Sequence, residues 1–188
     1  MEQHPLTNSR LNERSWWIAT LVTATLALGL TGCSGEAERA YKTPASLCGV
    51  SLGSELLSPF LPPGSTISVV PSTPVDGTER CTVRVDGESA MVASQEWWDE
   101  ASRATPQKVA SAHAHVEPDH VSEDGRHVYS SRGAAWKVSC REPQRSKSEL
   151  FIVLQIPESG NPNEDAMKKL AEAYAQEVAF SDKCVRNN

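Results

Sequence analysis

The residues with the most chemical potential in this sequence are cysteines and histidines. Cys48, Cys81, Cys140 and Cys184 form an even set in which no two lie within four residues of each other. Structural zinc sites pair their cysteines a few residues apart, so this spacing points to two disulfides instead. Three connectivities are open, and nearness along the chain favours Cys48 with Cys81 and Cys140 with Cys184. The stretch "HAHVEPDHVSEDGRH" gathers His113, His115, His120 and His127 among Glu117, Asp119, Glu123 and Asp124. In an extended segment His113 and His115 point to one side, and with His120 or Asp119 they could hold zinc or copper. In an exposed loop the same residues are simply solvated. The adjacent Trp97 and Trp98 offer an indole face for a sugar or an aromatic ligand, although neighbours on a strand or helix point apart and one of them belongs to the core.

Signals for catalysis are weak. There is no Gly-x-Ser-x-Gly motif and no glycine-rich phosphate cradle. Glu96, Asp99 and Glu100 read as a solvated helical face rather than an acid and base pair. The expectation is a protein that is not an enzyme, with no cofactor and no metal centre. A net charge of -6 disfavours nucleic acid as a partner.

The fifth cysteine, Cys33, stands apart. Residues 16–30, "WWIATLVTATLALGL", are free of charge for fifteen positions, short of the roughly 20 that a spanning helix needs. A polar lead precedes them, with Arg10 and Arg14 offset by Glu2 and Glu13, and small residues close the run, which is the pattern of a secretory leader. No Arg-Arg pair precedes the run, as the twin-arginine route would require. Leu30, Thr31, Gly32 and Cys33 resemble the lipobox of bacterial lipoproteins. That resemblance implies a cysteine alkylated by diacylglycerol and a chain cut just before it. Small side chains admit the peptidase to the backbone, and a thiolate is the nucleophile that such a transfer needs. Two or more acyl chains then hold the protein at a membrane, where one chain would bind only marginally. The expected organisation is a leader over 1–32, a lipidated cysteine and tether over 33–43, and one extracytoplasmic domain over 44–188. With 39% hydrophobic and 22% charged residues, the chain has the composition of an ordinary globular domain.

Several elements must position these groups. Residues 56–61, "LLSPFL", predict a short helix broken at Pro59, and residues 66–70 a strand, followed by "PSTPVDG" as a loop. Cys81, Val83 and Val85 alternate with polar residues, and Asp86 with Gly87 predicts a hairpin into a strand over 90–94. "QEWWDEASR" reads as a helical piece that Pro106 limits. Ala134, Trp136, Val138 and Cys140 alternate again. Residues 150–156, "LFIVLQI", are apolar on both faces and predict the central strand. The final helix takes Asn161 as cap, Pro162 as first residue and Glu164 as third. Its stripe is Met167, Leu170, Tyr174 and Val178, with Glu164 and Lys168, and Asp165 and Lys169, paired on the other side. The fold class is α+β: an antiparallel sheet of four to six strands, a C-terminal amphipathic helix packed on one face, and two disulfides.

"TPASLCGVSL", "FLPPG", "RCTVRVDG" and the terminal helix ending in cysteine, together with the lipobox, resemble a group of small secreted actinobacterial lipoproteins. These carry a cysteine-paired domain of unknown function. The resemblance implies a membrane-anchored envelope protein with no assigned catalysis. The expected function is a lipid-anchored binding or interaction module on the extracytoplasmic face of the cell membrane, meeting an envelope protein or a small ligand. The alternative is a metal-capturing lipoprotein built on the histidine stretch.

Overall fold

A computed structural model describes residues 39–140, 142–182 and 184. The leader, Cys33 and the first part of the tether lie outside the described residues. In chain order the elements are β1 (Ser46–Leu47), β2 (Val50–Ser51), α1 (Ser54–Leu57), β3 (Ile67–Val75), β4 (Thr78–Val85), β5 (Glu88–Asp99), α2 (Pro106–Ala110), β6 (His120–Val121), β7 (His127–Tyr129), β8 (Gly133–Val138), β9 (Ser148–Gln155) and α3 (Glu164–Ala179). β1 and β2 form a small hairpin of their own, and the other seven strands form one sheet in the order β3-β4-β5-β9-β8-β7-β6. Every pairing in it is antiparallel. The α+β class, the C-terminal helix and the two disulfides stand as expected. The strand count exceeds the expected range because the histidine stretch adds β6 and β7, too short for alternation to reveal.

β9 occupies the middle of the sheet, and its residues from Leu150 to Leu154 are all buried. Leu150, Ile152 and Leu154 face the main core with Met167, Leu170, Tyr174 and Val178 of α3. Phe151 and Val153 face a second core with Val109 and Ala110 of α2, Val116, Val128 and Ala135. We call these the front and back faces. A strand apolar on both sides requires cover on both, so helical cover is not confined to one face: α2 and the loop after it shield part of the back. Each large side chain in the α3 stripe contributes about 1.5 to 3 kcal/mol by leaving water.

Four local readings differ from the structure. Residues 95–99 continue β5 instead of starting a helix, because β9 pairs along all of them, Trp97 opposite Leu150, and β4 pairs with the first two, Glu96 opposite Thr78; only residues 100–102 turn helically, capped by the Asp99 carboxylate, which accepts from the Ala101 N–H at 2.7 Å. "PSTPV" lies within β3 rather than in a loop. β3 is an edge strand, where a proline without an N–H is tolerated, and Pro74 falls in the register break between Ser72 and Val75. The α3 cap is Asn163, not Asn161: its side chain accepts from the Ala166 N–H at 2.9 Å, while Asn161 donates instead to the carbonyls of Phe60 and Leu61. The expected pairing of Glu164 with Lys168 gives way to cross-element contacts, Glu164 with His120 at 3.0 Å and Lys168 over the Tyr129 ring.

Turn chemistry follows the sequence closely. Asp86 and Gly87 both take positive φ, 49° and 89°, the geometry of a two-residue hairpin turn. The Asp86 carboxylate also accepts from the N–H groups of Ser65 and Thr66, joining this turn to the start of β3. Cys48 and Gly49 make the equivalent turn between β1 and β2, with φ of 47° and 96°. Cys48 bonds to Cys81 of β4, and Cys140, just past β8, bonds to Cys184 beyond α3. Residues 39–41 of the segment read as tether already contact the domain: the Ala40 N–H donates to Gly64 O at 2.9 Å, and the Tyr41 hydroxyl donates to Pro62 O.

Candidate functional site

The histidine stretch is dispersed by its own backbone. After α2 the chain turns through His115, which has φ of 64°, so His113 and His115 do not share a side. His113 turns to the back of the sheet, where its Nε2 lies 3.1 Å from Glu96 Oε2. His115 lies 3.7 Å from Glu158, and His120 lies 3.0 Å from Glu164 while stacking on Tyr129. His127 stacks on Trp136 with ring centres 3.8 Å apart. Among the described residues no group of three His, Cys, Asp or Glu side chains is placed to hold a metal.

Burial lowers the His127 pKa below its ordinary 6.5, reinforced by Lys168 and opposed by Asp124 and Glu172. A histidine whose folded pKa is depressed takes up protons preferentially in the unfolded chain. Its penalty is absent above pH 6.5 and grows as pH falls from there to the folded value. Asp76, Asp86 and Asp124 are held below 3.8 by hydrogen bonds, so they act only in more acidic solution. We therefore expect thermal stability to begin falling just below pH 6.5, and His127→Gln to flatten that first decline in a melting series across pH. A decline unchanged in the variant would contradict the assignment.

The two tryptophans part as adjacent strand residues must. Trp98 packs edge-on against Phe151 in the back core, and its indole N–H donates to Glu96 Oε2 at 3.2 Å. Glu96 is therefore a buried acceptor shared by Trp98 and His113, not part of a solvated helical face. Sequence reasoning missed this trio because it rests on β5 running through residue 99. Trp97 turns to the front and lines a groove.

That groove lies beside the C-terminal end of α3, which packs mainly on β8; the front of β4 is buried at Cys81, Val83 and Val85, and the open stretch is at Thr73 of β3 and Thr78 and Glu79 at the start of β4. Two adjoining clefts of about 230 and 220 Å³ occupy this space, sharing Thr73, Glu79 and Gln95 in their walls. Cys48 and Cys81 stand at one end and Cys184 at the other. Between them lie Trp97, Gln95 and the buried Tyr174, whose hydroxyl accepts from Gln95 Nε2 at 3.4 Å. Burial raises the Tyr174 pKa, so its hydroxyl stays protonated. Arg145 spans the rim, its Nη2 2.9 Å from Asp76 Oδ1 and its Nε 3.4 Å from Glu142. The hydrogen bond from Arg145 holds Asp76 below the usual carboxylate range. An indole beside an amide, a phenol and hydroxyls is equipment for binding, and the cysteine sulfurs in these walls are spent in disulfides. Trp97 was visible in the sequence as a contact platform; the ion pair between Asp76 and Arg145, 69 residues apart, had no sequence signal.

Compared with family models, curated proteins and solved structures, the chain finds no match.

Proposed function

We propose that this chain is a lipid-anchored extracytoplasmic binding module, attached through Cys33 and presenting the groove beside Trp97 to an envelope protein or a small ligand, without catalysis of its own. The observation that carries the reading is the pairing of Cys48 with Cys81 and Cys140 with Cys184. Of five cysteines, this leaves Cys33 with no cysteine of its own chain to bond. Structural disulfides belong to oxidising compartments, which supports export, and the remaining thiol stands where the lipobox resemblance puts the acylated residue. Among the described residues no helix is long and apolar enough to cross a membrane, and the reading needs none. Arg39 lies six residue steps beyond Cys33, a reach of at most about 20 Å at roughly 3.5 Å each, so the domain would ride close to the lipid headgroups.

Metabolic labelling with radioactive palmitate tests it. The full chain, made in a bacterium that processes lipoproteins, should carry the label, and Cys33→Ser should carry none. Label persisting in the variant, or missing from the parent, would overturn the anchor.

A further inference from the structure

We infer that the back of the sheet binds one buried water molecule, at a site built from Arg80, Ser94 and Glu96. The inference depends neither on the anchor nor on the groove. Glu96 uses its carboxylate unequally. Oε2 accepts from the Trp98 indole at 3.2 Å and lies 3.1 Å from His113 Nε2, while Oε1 is shut from solvent and has no hydrogen-bond partner among the described residues. Ser94, two positions earlier on β5, is fully buried, and its Oγ is in the same condition. So is Arg80 Nε on β4. The other such atoms, Ser102 Oγ and His127 Nδ1, belong to the turn after β5 and to the stack on Trp136.

Register places the three side chains in one patch. Ser94 stands opposite Arg80 on one side and Val153 on the other, and Glu96 stands opposite Phe151. Val153 and Phe151 belong to the back core, so Ser94 and Glu96 share that face. Glu79 and Cys81, on either side of Arg80, line the groove on the front, so the Arg80 side chain turns to the back as well. Directly opposed side chains of antiparallel strands start about 4.5 to 5.5 Å apart, and alternate residues of one strand roughly 7 Å apart. These spacings suit groups bridged by one small molecule. The chemistry of the set selects that molecule. Arg80 Nε can only donate, a carboxylate oxygen such as Glu96 Oε1 can only accept, and the Ser94 hydroxyl does both. The guanidinium disfavours a cation and the carboxylate an anion, so the occupant is neutral, donates as well as accepts, and is small enough to lie beneath side chains. Water meets all of these demands, and three hydrogen bonds are about the usual number for a buried one. It would complete the second oxygen of the carboxylate that holds Trp98 and His113.

The test combines a crystal structure that resolves ordered waters with urea unfolding, both on the intact oxidised protein in detergent. The density should show one water within hydrogen-bonding distance of Arg80 Nε, Ser94 Oγ and Glu96 Oε1. Ser94→Ala should raise the unfolding equilibrium constant about fivefold, because a satisfied buried hydroxyl is lost. Arg80→Met, which keeps the apolar stem over the patch and removes Nε, should act in the same direction. A dry patch predicts the opposite sign, since removing a buried hydroxyl that has no partner relieves a penalty and lowers that constant. The inference is overturned if Ser94→Ala stabilises the protein, or if the density shows Arg80 bonded directly to Glu96 with no water between them. It is equally overturned by a metal ion, recognised by contacts to the two oxygens shorter than hydrogen bonds. None of these outcomes bears on the anchor, which palmitate labelling decides.

Discussion

Replacing Cys140 and Cys184 together with serine is expected to lower the unfolding free energy by about 4 kcal/mol. The bridge closes a separation of 44 residues, and in the chain-entropy account a loop of that length restricts the unfolded state by roughly this amount. The site of the loss matters as well as its size. Cys184 is buried beyond the end of α3 and Cys140 follows β8, so the bridge pins the C-terminal end of the helix across the sheet. Freed of it, the last turn should fray first, with amides near Val178 exchanging faster than those near Leu170. The expected measurement is urea denaturation of the oxidised parent and the double variant, reading the midpoint with an unchanged slope. A loss under 1 kcal/mol would mean that the helix stripe alone holds that end. The bridge from Cys48 to Cys81 closes 33 residues and is expected to contribute only slightly less by the same reasoning.

Glu96→Ala is expected to cost about 3 to 5 kcal/mol, although it removes no large apolar group. The carboxylate is almost fully buried and accepts from the Trp98 indole, with His113 at the same oxygen. Truncation strands two half-buried polar partners, Trp98 and His113, that the buried carboxylate had satisfied, and breaking such a pair costs far more than the pair contributes relative to an apolar replacement. The informative companion is Glu96→Leu combined with His113→Leu. Although it changes more atoms, it should cost less than Glu96→Ala, because only the indole N–H then lacks its partner. Equal costs would show that the residues act independently and that the trio has no coupling.

Legibility followed the range of the interaction. The hairpin at Asp86 and Gly87 could be read from two residues, because a turn needing positive φ at both central positions selects for them. β9 could be read from its unbroken apolar run, and α3 from the spacing of Met167, Leu170, Tyr174 and Val178. Misreadings arose where a partner distant in sequence decides the outcome. Residues 95–99 include the helix formers Gln95 and Glu96 and still run as strand, because β9 pairs along all of them and β4 along the first two. Pro71 and Pro74 suggest a loop and still lie in β3, because an edge strand and a register break accept them. The cap of α3 moved from Asn161 to Asn163 because the carbonyls of Phe60 and Leu61 engage the first asparagine. For the site, Trp97 and the cysteines carried sequence signals. The groove carried none, since it is the space between the C-terminal end of α3 and the start of β4, which only the folded chain brings together. His113, His115, His120 and His127 cluster in sequence and disperse in space, because a left-handed residue and three separate carboxylate partners outweigh proximity along the chain.

The most direct test of the anchored, disulfide-bonded module is the intact mass of the full-chain product extracted from membranes with detergent under non-reducing conditions. The account predicts a chain beginning at Cys33 and bearing a diacylglyceryl group, lighter by four hydrogens than its reduced form. A product retaining residues before Cys33, an unmodified Cys33, or free thiols at any of the other four cysteines would contradict it.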